Sequence, residues 1–261
     1  MAANGGEGIG MEAWHLWEAP ALPFNRREIL RYAGWPGAET PESTNEGTGR
    51  NRDEDGPEHL SPEGLPLEEI LREAEGIRCR AVWRAVDPAS PGPGLTAMIA
   101  GSRALARFLE GCGGMALFAL TAGTEMDRII ARERVRSPLR GLLAHAVGAE
   151  RTETACDALT REVLTHFPGM KAAGRFSPGY GDLPLNSQAW ILTALDAGRR
   201  LGITVNSSSL LIPAKSVTAV IGLADKPQGA RIRGCGVCRI RENCVYRERG
   251  TTCGIETAGT A

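Results

Sequence analysis

The sequence predicts an α+β protein: a mixed or antiparallel sheet, long helices packed on one side of it, and a small metal knuckle at the C-terminal end. Three observations carry this. Met115 to Thr121 (MALFALT) is a short apolar run that reads as a buried central strand. Leu139 to His166 repeats apolar residues at helical spacing over a long stretch. Four of the seven cysteines crowd into the last part of the chain. With 261 residues and 42% apolar content, the chain can build one sizeable packed core.

Taken in order, residues 1–24 read as an arm rich in Gly and Ala, with Trp14, Leu16 and Trp17 able to pack on the body. Asn25 to Ala33 reads as a short helix, with Asn25 as cap, Glu28 three residues on and Gly34 after its end. Residues 37–66 are polar and acidic, rich in Pro, Gly, Ser and Thr, and carry too little apolar surface to order themselves. Pro66 to Gly76 reads as a second helix, with Leu67, Ile70 and Leu71 on one face. Ile77 to Val86 alternates apolar residues with Arg, the pattern of a half-buried strand.

A turn follows, then an expected strand at Leu95–Ile99, a helix at Ser102–Glu110 ended by glycines, and the Met115 strand. Gly123-Thr124-Glu125 opens a helix, Met126–Arg134, whose N-terminus is of a kind that can hold an anion, although the residues read more readily as an ordinary βα turn. Leu139–His166 reads as two consecutive helices or one long kinked one, broken near Gly148. Asp157 and Glu162 read as charges on its solvated face. His145 and His166 have no second ligand at metal spacing, and Cys79, Cys112 and Cys156 read as small core residues. Asn186–Gly202 predicts one helix, and Ile203 to Gly222 one or two strands.

Between these lies Arg175-Phe-Ser-Pro-Gly-Tyr-Gly-Asp-Leu-Pro184. Its prolines and glycines forbid regular helix or strand. A loop pinned this way can hold side chains at fixed angles. Arg175 suits a two-pronged grip on a carboxylate or phosphate, and Tyr180 offers a flat face with a polar tip. The plainer reading is a tight turn with a surface arginine.

The tail spaces its cysteines C-x2-C-x5-C-x8-C at Cys235, Cys238, Cys244 and Cys253. Four thiolates this close can satisfy one tetrahedral zinc ion or the corners of one iron–sulfur cluster. Arg231, Arg233, Arg239, Arg241, Arg247 and Arg249 around them offset the thiolate charge and can dock an acidic partner.

The order R-x-S-P-G-Y at 175–180, then a helix, a Ser-rich strand and P-x-K-S-V-T-A-V-I-G at 213–222 resembles the activation (reactivation) domain of cobalamin-dependent methionine synthase. More specifically it resembles the stand-alone version found as a separate chain in some anaerobic bacteria. The resemblance covers most of residues 25–224 and is strongest over 174–222. It implies binding of S-adenosylmethionine and presentation of its methyl group to the cobalamin of a partner, a methionine synthase or another corrinoid methyltransferase. After one-electron reduction of the cobalt, methylcobalamin is restored. It further implies that Arg175 grips the methionyl carboxylate and that Tyr180 lies against the ligand beside the cobalamin face. Ser177 and Gly179 belong to the same binding loop, and Phe176 contributes a backbone contact, so that its side chain matters little. Asp182 has no counterpart role. The family's C-terminal hairpin past Gly222 is replaced by the cysteine tail. An electron is needed in this chemistry, which favours a [4Fe–4S] cluster over zinc in the tail.

Other classes compete less well. An accessory iron–sulfur electron carrier or docking module for a corrinoid protein, without S-adenosylmethionine, is the alternative. A zinc-stapled nucleic-acid binder using the Arg-rich tail is disfavoured by a net charge of −1 and by an aromatic content of 5%. No apolar run reaches bilayer length, and residues 1–20 lack the pattern of a secretory signal, so a cytoplasmic protein is expected, without nucleic-acid or membrane partners.

Overall fold

The computed structural model describes residues 13–35, 64–226 and Glu242. The cysteine quartet and most of the acidic stretch 37–66 lie outside the described residues. The elements run β1 (His15–Glu18), α1 (Arg26–Tyr32), α2 (Leu67–Ala74), β2 (Arg80–Val86), α3 (Pro93–Ala100), α4 (Arg103–Leu109), β3 (Gly114–Thr121), α5 (Gly123–Arg136) and α6 (Pro138–Thr165). They continue with β4 (Lys171–Phe176), α7 (Ser187–Ala194), α8 (Ala197–Leu201), β5 (Thr204–Val205), β6 (Leu211–Ile212) and β7 (Ser216–Ala224).

Five strands form one antiparallel sheet in the order β1-β2-β3-β7-β4, and β5 and β6 form a separate two-stranded ribbon. The central strand is β3, every residue of which is buried. Its side chains alternate. Ala116, Phe118 and Leu120 pack with residues of α1, α2, α5 and α6, and Met115, Leu117 and Ala119 with residues of α3, α4, α7 and α8. The sheet is therefore covered on both faces, not on one side only. This explains why β2 does not show the half-buried pattern: Ala81, Val82 and Trp83 are all buried, and an internal strand between two helical layers needs apolar residues on both sides.

Several helix starts follow their sequence signals. Asn25 Oδ1 accepts the Glu28 N–H at 3.2 Å, and Ser102 Oγ accepts the Leu105 N–H at 3.1 Å. The Leu139–His166 stretch is one continuous helix of 28 residues, about 42 Å long at 1.5 Å per residue. Gly148 does not break it. Lys215 packs on that glycine, so closely that an added Cβ would lie 3.0 Å from Lys215 Cε.

Other expectations are corrected. Leu95–Ile99 is part of the helix α3, because Pro93 presets the first turn and the short apolar run fits either state. Asn186–Gly202 divides into α7 and α8 at Asp196, which adopts φ 50°, a left-handed conformation that Asp tolerates better than most residues. Residues 203–224 give three strands, not one or two. The N-terminal arm is in part an edge strand, with Leu16 opposite Val82 and Trp17 opposite Ala81. Arg175 and Phe176 are not loop but the end of β4, where the segment still pairs with β7. The breakers act only from Ser177 onward.

Candidate functional site

The end of β4 opens into a turn over residues 177–184 whose own backbone closes it. Tyr180 N–H donates to the Ser177 carbonyl at 3.0 Å, Leu183 N–H to the Tyr180 carbonyl at 3.0 Å, and Gly179 N–H to the Leu183 carbonyl at 2.9 Å. Gly179 and Gly181 take φ values of 91° and 54°, which only glycine adopts freely. Gly181 also sits against Ala104, where an added Cβ would come within 2.5 Å of the Ala104 Cβ. Asp182 then anchors the turn to α4. Its carboxylate accepts from Ser102 Oγ at 2.5 Å and from the backbone N–H groups of Arg103 at 3.0 Å and Ala104 at 3.1 Å. The Ser102 hydroxyl and these amides hold the Asp182 carboxyl below the usual aspartate range. The residue without an expected role is thus the one that fixes the loop to the helix N-terminus.

Phe176 is fully buried, 5.4 Å from the Phe108 ring and 5.9 Å from the Tyr180 ring, the latter edge to face. Its side chain is a core element and also the floor under Tyr180, so its identity matters, contrary to expectation. Tyr180 itself is 47% exposed.

This turn forms one wall of an open cleft of about 140 Å³. Arg175, Ser177, Tyr180, Glu153, Gln188, Leu211, Ser216, Val217 and Thr218 line it. Of the five residues singled out in the motif, Arg175, Ser177 and Tyr180 reach the cleft, while Gly179 shapes the turn and Phe176 lies beneath it. Gln188, at the start of α7, is held by two contacts. Its Nε2 donates to the Ser209 carbonyl at 2.5 Å, and its Oε1 lies 3.4 Å from Thr218 Oγ1. Ser216 Oγ donates to the Pro213 carbonyl at 2.7 Å and lies 2.8 Å from Thr121 Oγ1.

Arg175 does not face the cleft alone. Its Nη1 donates to Asp157 Oδ1 at 2.5 Å and approaches Thr160 Oγ1 at 3.4 Å, and its Nη2 donates to Glu153 Oε2 at 3.0 Å. Burial works against the guanidinium charge, but the electrostatic environment outweighs it, with the Asp157 and Glu153 carboxylates contributing, and Arg175 stays protonated. Asp157 is therefore more than a solvated charge. Glu153 and Asp157 stand four residues apart on α6, hence on one helix face, and that spacing was the available signal for the pair. Gln188 had none, since it reaches the cleft only through the packing of α7 on β7; Ser216 and Thr218 stand within the 213–222 motif, but nothing in the sequence set them apart as site residues.

Chemically the cleft presents a cation with a carboxylate beside it, hydroxyls from Ser177, Ser216 and Thr218, an amide, and an aromatic rim. A guanidinium next to a carboxylate matches the head group of an α-amino acid, whose carboxylate and ammonium carry the opposite charges.

The helix N-terminus at Gly123, a candidate for anions, is engaged within the protein. Thr121 Oγ1 accepts the Gly123 N–H at 2.9 Å, Ala122 N–H donates to the Lys215 carbonyl at 2.8 Å, and Asp127 Oδ2 accepts the Ala214 N–H at 2.9 Å. On the opposite face of β7 from the cleft hydroxyls, Lys215 Nζ lies 3.3 Å from both ring nitrogens of His145. Burial lowers the Lys215 ammonium from 10.5 to about 8, against an upward pull from Asp127. The unfolded chain holds that proton up to its ordinary value, so it binds more protons than the folded one between pH 8 and 10.5, and stability rises with pH across this window. Lys215→Met is expected to stabilise the protein by about 2–3 kcal/mol at pH 7, with the advantage shrinking above pH 8. Urea unfolding of both proteins at pH 7 and pH 10 checks this.

Cys79 and Cys156 are buried; burial pushes the Cys79 thiol up to about 12 and raises that of Cys156 as well, as fits core residues. The His166 ring centroid lies 5.0 Å from that of the buried Trp83, edge to face, and its Nε2 lies 3.7 Å from Glu162 Oε1. Among the described residues no group of three or more His, Cys, Asp or Glu is placed to hold a metal ion. Among the same residues no helix is long and apolar enough to cross a membrane.

Fold and site together define an antiparallel sheet between two helical layers, with an open polar cleft where β4, β7, α6 and α7 meet. No protein-family model and no curated protein matches the sequence. In backbone arrangement the chain is similar to the crystal structure of the MetH reactivation domain bound to AdoHcy, at 13% sequence identity, covering 72% of this chain and 71% of that one, with a TM-score of 0.44. The likeness is one of fold alone.

Proposed function

We propose that this protein binds S-adenosylmethionine in the cleft and presents its methyl group to the reduced cobalamin of a partner methyltransferase, methionine synthase first among the candidates, so that methylcobalamin is restored after oxidation. The observation that carries the reading is the convergence of the sequence motif on one cleft. Arg175, Ser177 and Tyr180 line it together with Ser216, Val217 and Thr218 from the second half of the resemblance. Two stretches some forty residues apart in the chain thus meet at one site.

In this reading Arg175 takes the methionyl carboxylate and Glu153 the ammonium. Ser177, Gln188 and Thr218 supply polar contacts, and Tyr180 on the open rim flanks the sulfonium. The protein has little covalent work to do. The sulfonium is an activated methyl donor and reduced cobalt a strong nucleophile, so alignment of the two, and exclusion of water from between them, is the contribution asked of the site. Cobalamin would be carried by the partner and would meet the ligand across the open mouth. The electron that reduces the cobalt would come from a separate carrier or from an iron–sulfur cluster on Cys235, Cys238, Cys244 and Cys253; a zinc ion on the same thiolates would leave the electron to the carrier.

The test is reductive reactivation. A cobalamin-dependent methionine synthase that lacks an activation domain of its own is inactivated to Co(II) and incubated with S-adenosylmethionine and a low-potential reductant, with and without this protein. Recovery of the methylcobalamin spectrum dependent on the protein is expected. Recovery at the same rate without it rejects the role. Recovery that needs the protein but proceeds equally with its Arg175→Met variant would favour the accessory electron-transfer reading.

A further inference from the structure

Around Arg175 the charges do not divide evenly. Glu153 lines the cleft, whereas Asp157, one helical turn further along α6, is not among the lining residues. Yet Asp157 makes the shorter contact, 2.5 Å to Nη1 against 3.0 Å from Glu153 to Nη2. The Arg175 side chain is nearly enclosed, at 13% exposure, while the Asp157 side chain is 59% exposed. Nη1, which Thr160 also approaches at 3.4 Å, is thus drawn toward the helix surface and away from the cleft.

A ligand carboxylate seated on the same guanidinium would bring a third anionic group to a single cation. Glu153 is compensated in that complex by the ligand's ammonium. Asp157 has no such compensation, because it lies outside the cleft. We infer that Asp157 is an intramolecular competitor for Arg175: it occupies Nη1 in the empty site, is displaced toward water when a carboxylate-bearing ligand enters, and thereby sets the affinity for that ligand. The inference rests on the proposed binding of S-adenosylmethionine and adds to it a residue that tunes specificity without touching the ligand. Its high exposure makes the displacement inexpensive, since the freed carboxylate regains its hydration.

The test is calorimetric titration of the full chain with S-adenosylmethionine and with decarboxylated S-adenosylmethionine, at low salt, for the wild type, Asp157→Asn and Asp157→Glu. Asp157→Asn keeps the shape and removes the charge. It is expected to bind S-adenosylmethionine about three- to fivefold more tightly, the size of an exposed ion pair removed from competition. The decarboxylated ligand should show no such gain, because it does not compete for Nη1. Asp157→Glu should return to wild-type affinity, and the gain should shrink at high salt as the competing pair is screened. A merely structural role for Asp157 predicts weaker binding of both ligands, and that result would overturn the inference while leaving the proposed function standing. Equal tightening for both ligands would overturn it too. Absence of binding to wild type and Asp157→Asn alike would reject the proposed function and the inference with it. If Asp157→Asn does not fold, as judged by circular dichroism, Asp157→Ser carries the same prediction.

Discussion

Replacing Arg175 by methionine is expected to weaken S-adenosylmethionine binding about thirty- to hundredfold, the cost of losing charge-assisted hydrogen bonds to a carboxylate in an enclosed setting. The chain should still fold. Glu153 and Asp157 lose their cation, but their side chains are 48% and 59% exposed, so water solvates both and the loss is under about 1 kcal/mol. Binding and stability therefore separate in this variant. Arg175→Lys should recover only part of the affinity, since an ammonium keeps the charge and loses the planar fork. Calorimetric titration beside a thermal melt reads both quantities. An Arg175→Met protein that binds as tightly as wild type would remove Arg175 from the site.

Replacing Phe176 by alanine is expected to act in the opposite sense, on folding first. Phe176 is fully buried and packs with Phe108 and with Leu105, Ile191, Leu192 and Val220 of the same layer. Deleting its ring leaves a cavity and costs about 3–5 kcal/mol. In a body of this size that lowers the melting temperature by roughly 10 °C. The effect spreads to the site, because the Tyr180 ring rests edge-on against Phe176. Phe176→Leu, which keeps most of the volume, should cost less than about 1.5 kcal/mol. A near-normal melt for Phe176→Ala would contradict its place as the floor of the loop. The two neighbours in the motif thus divide the labour: Arg175 carries binding and Phe176 carries the shape that binding needs.

What could be read without the fold was local. The cap at Asn25, the helix beginning near Ser102, the buried run at 115–121, the long amphipathic helix and the turn at 177–184 are all encoded within a few residues of where they act. Propensity, capping and periodicity are short-range effects, so a linear reading reaches them. Where it failed, the local signal was degenerate. Leu95–Ile99 is apolar enough for a strand or a helix, and the layer it joins decided for helix. Arg175 and Phe176 looked like loop because breakers follow them, yet the free edge of β7 extended β4 by two residues.

The site itself shows the same division. The motif residues and the turn that carries Tyr180 were legible in the chain, because Pro178 fixes its own φ wherever it occurs, while Gly179 and Gly181 admit the positive φ values that the turn needs. The surroundings of Arg175 come from the packing of distant segments. Glu153 and Asp157 come from a helix that packs behind β4, Ser216 and Thr218 from the strand paired beside it, and Gln188 from a helix on the far layer. Their meeting depends on sheet order and helix packing, which are long-range properties that no window of neighbouring residues contains. The charge balance of the cleft, a cation held between two carboxylates, is for that reason a property of the fold rather than of the motif.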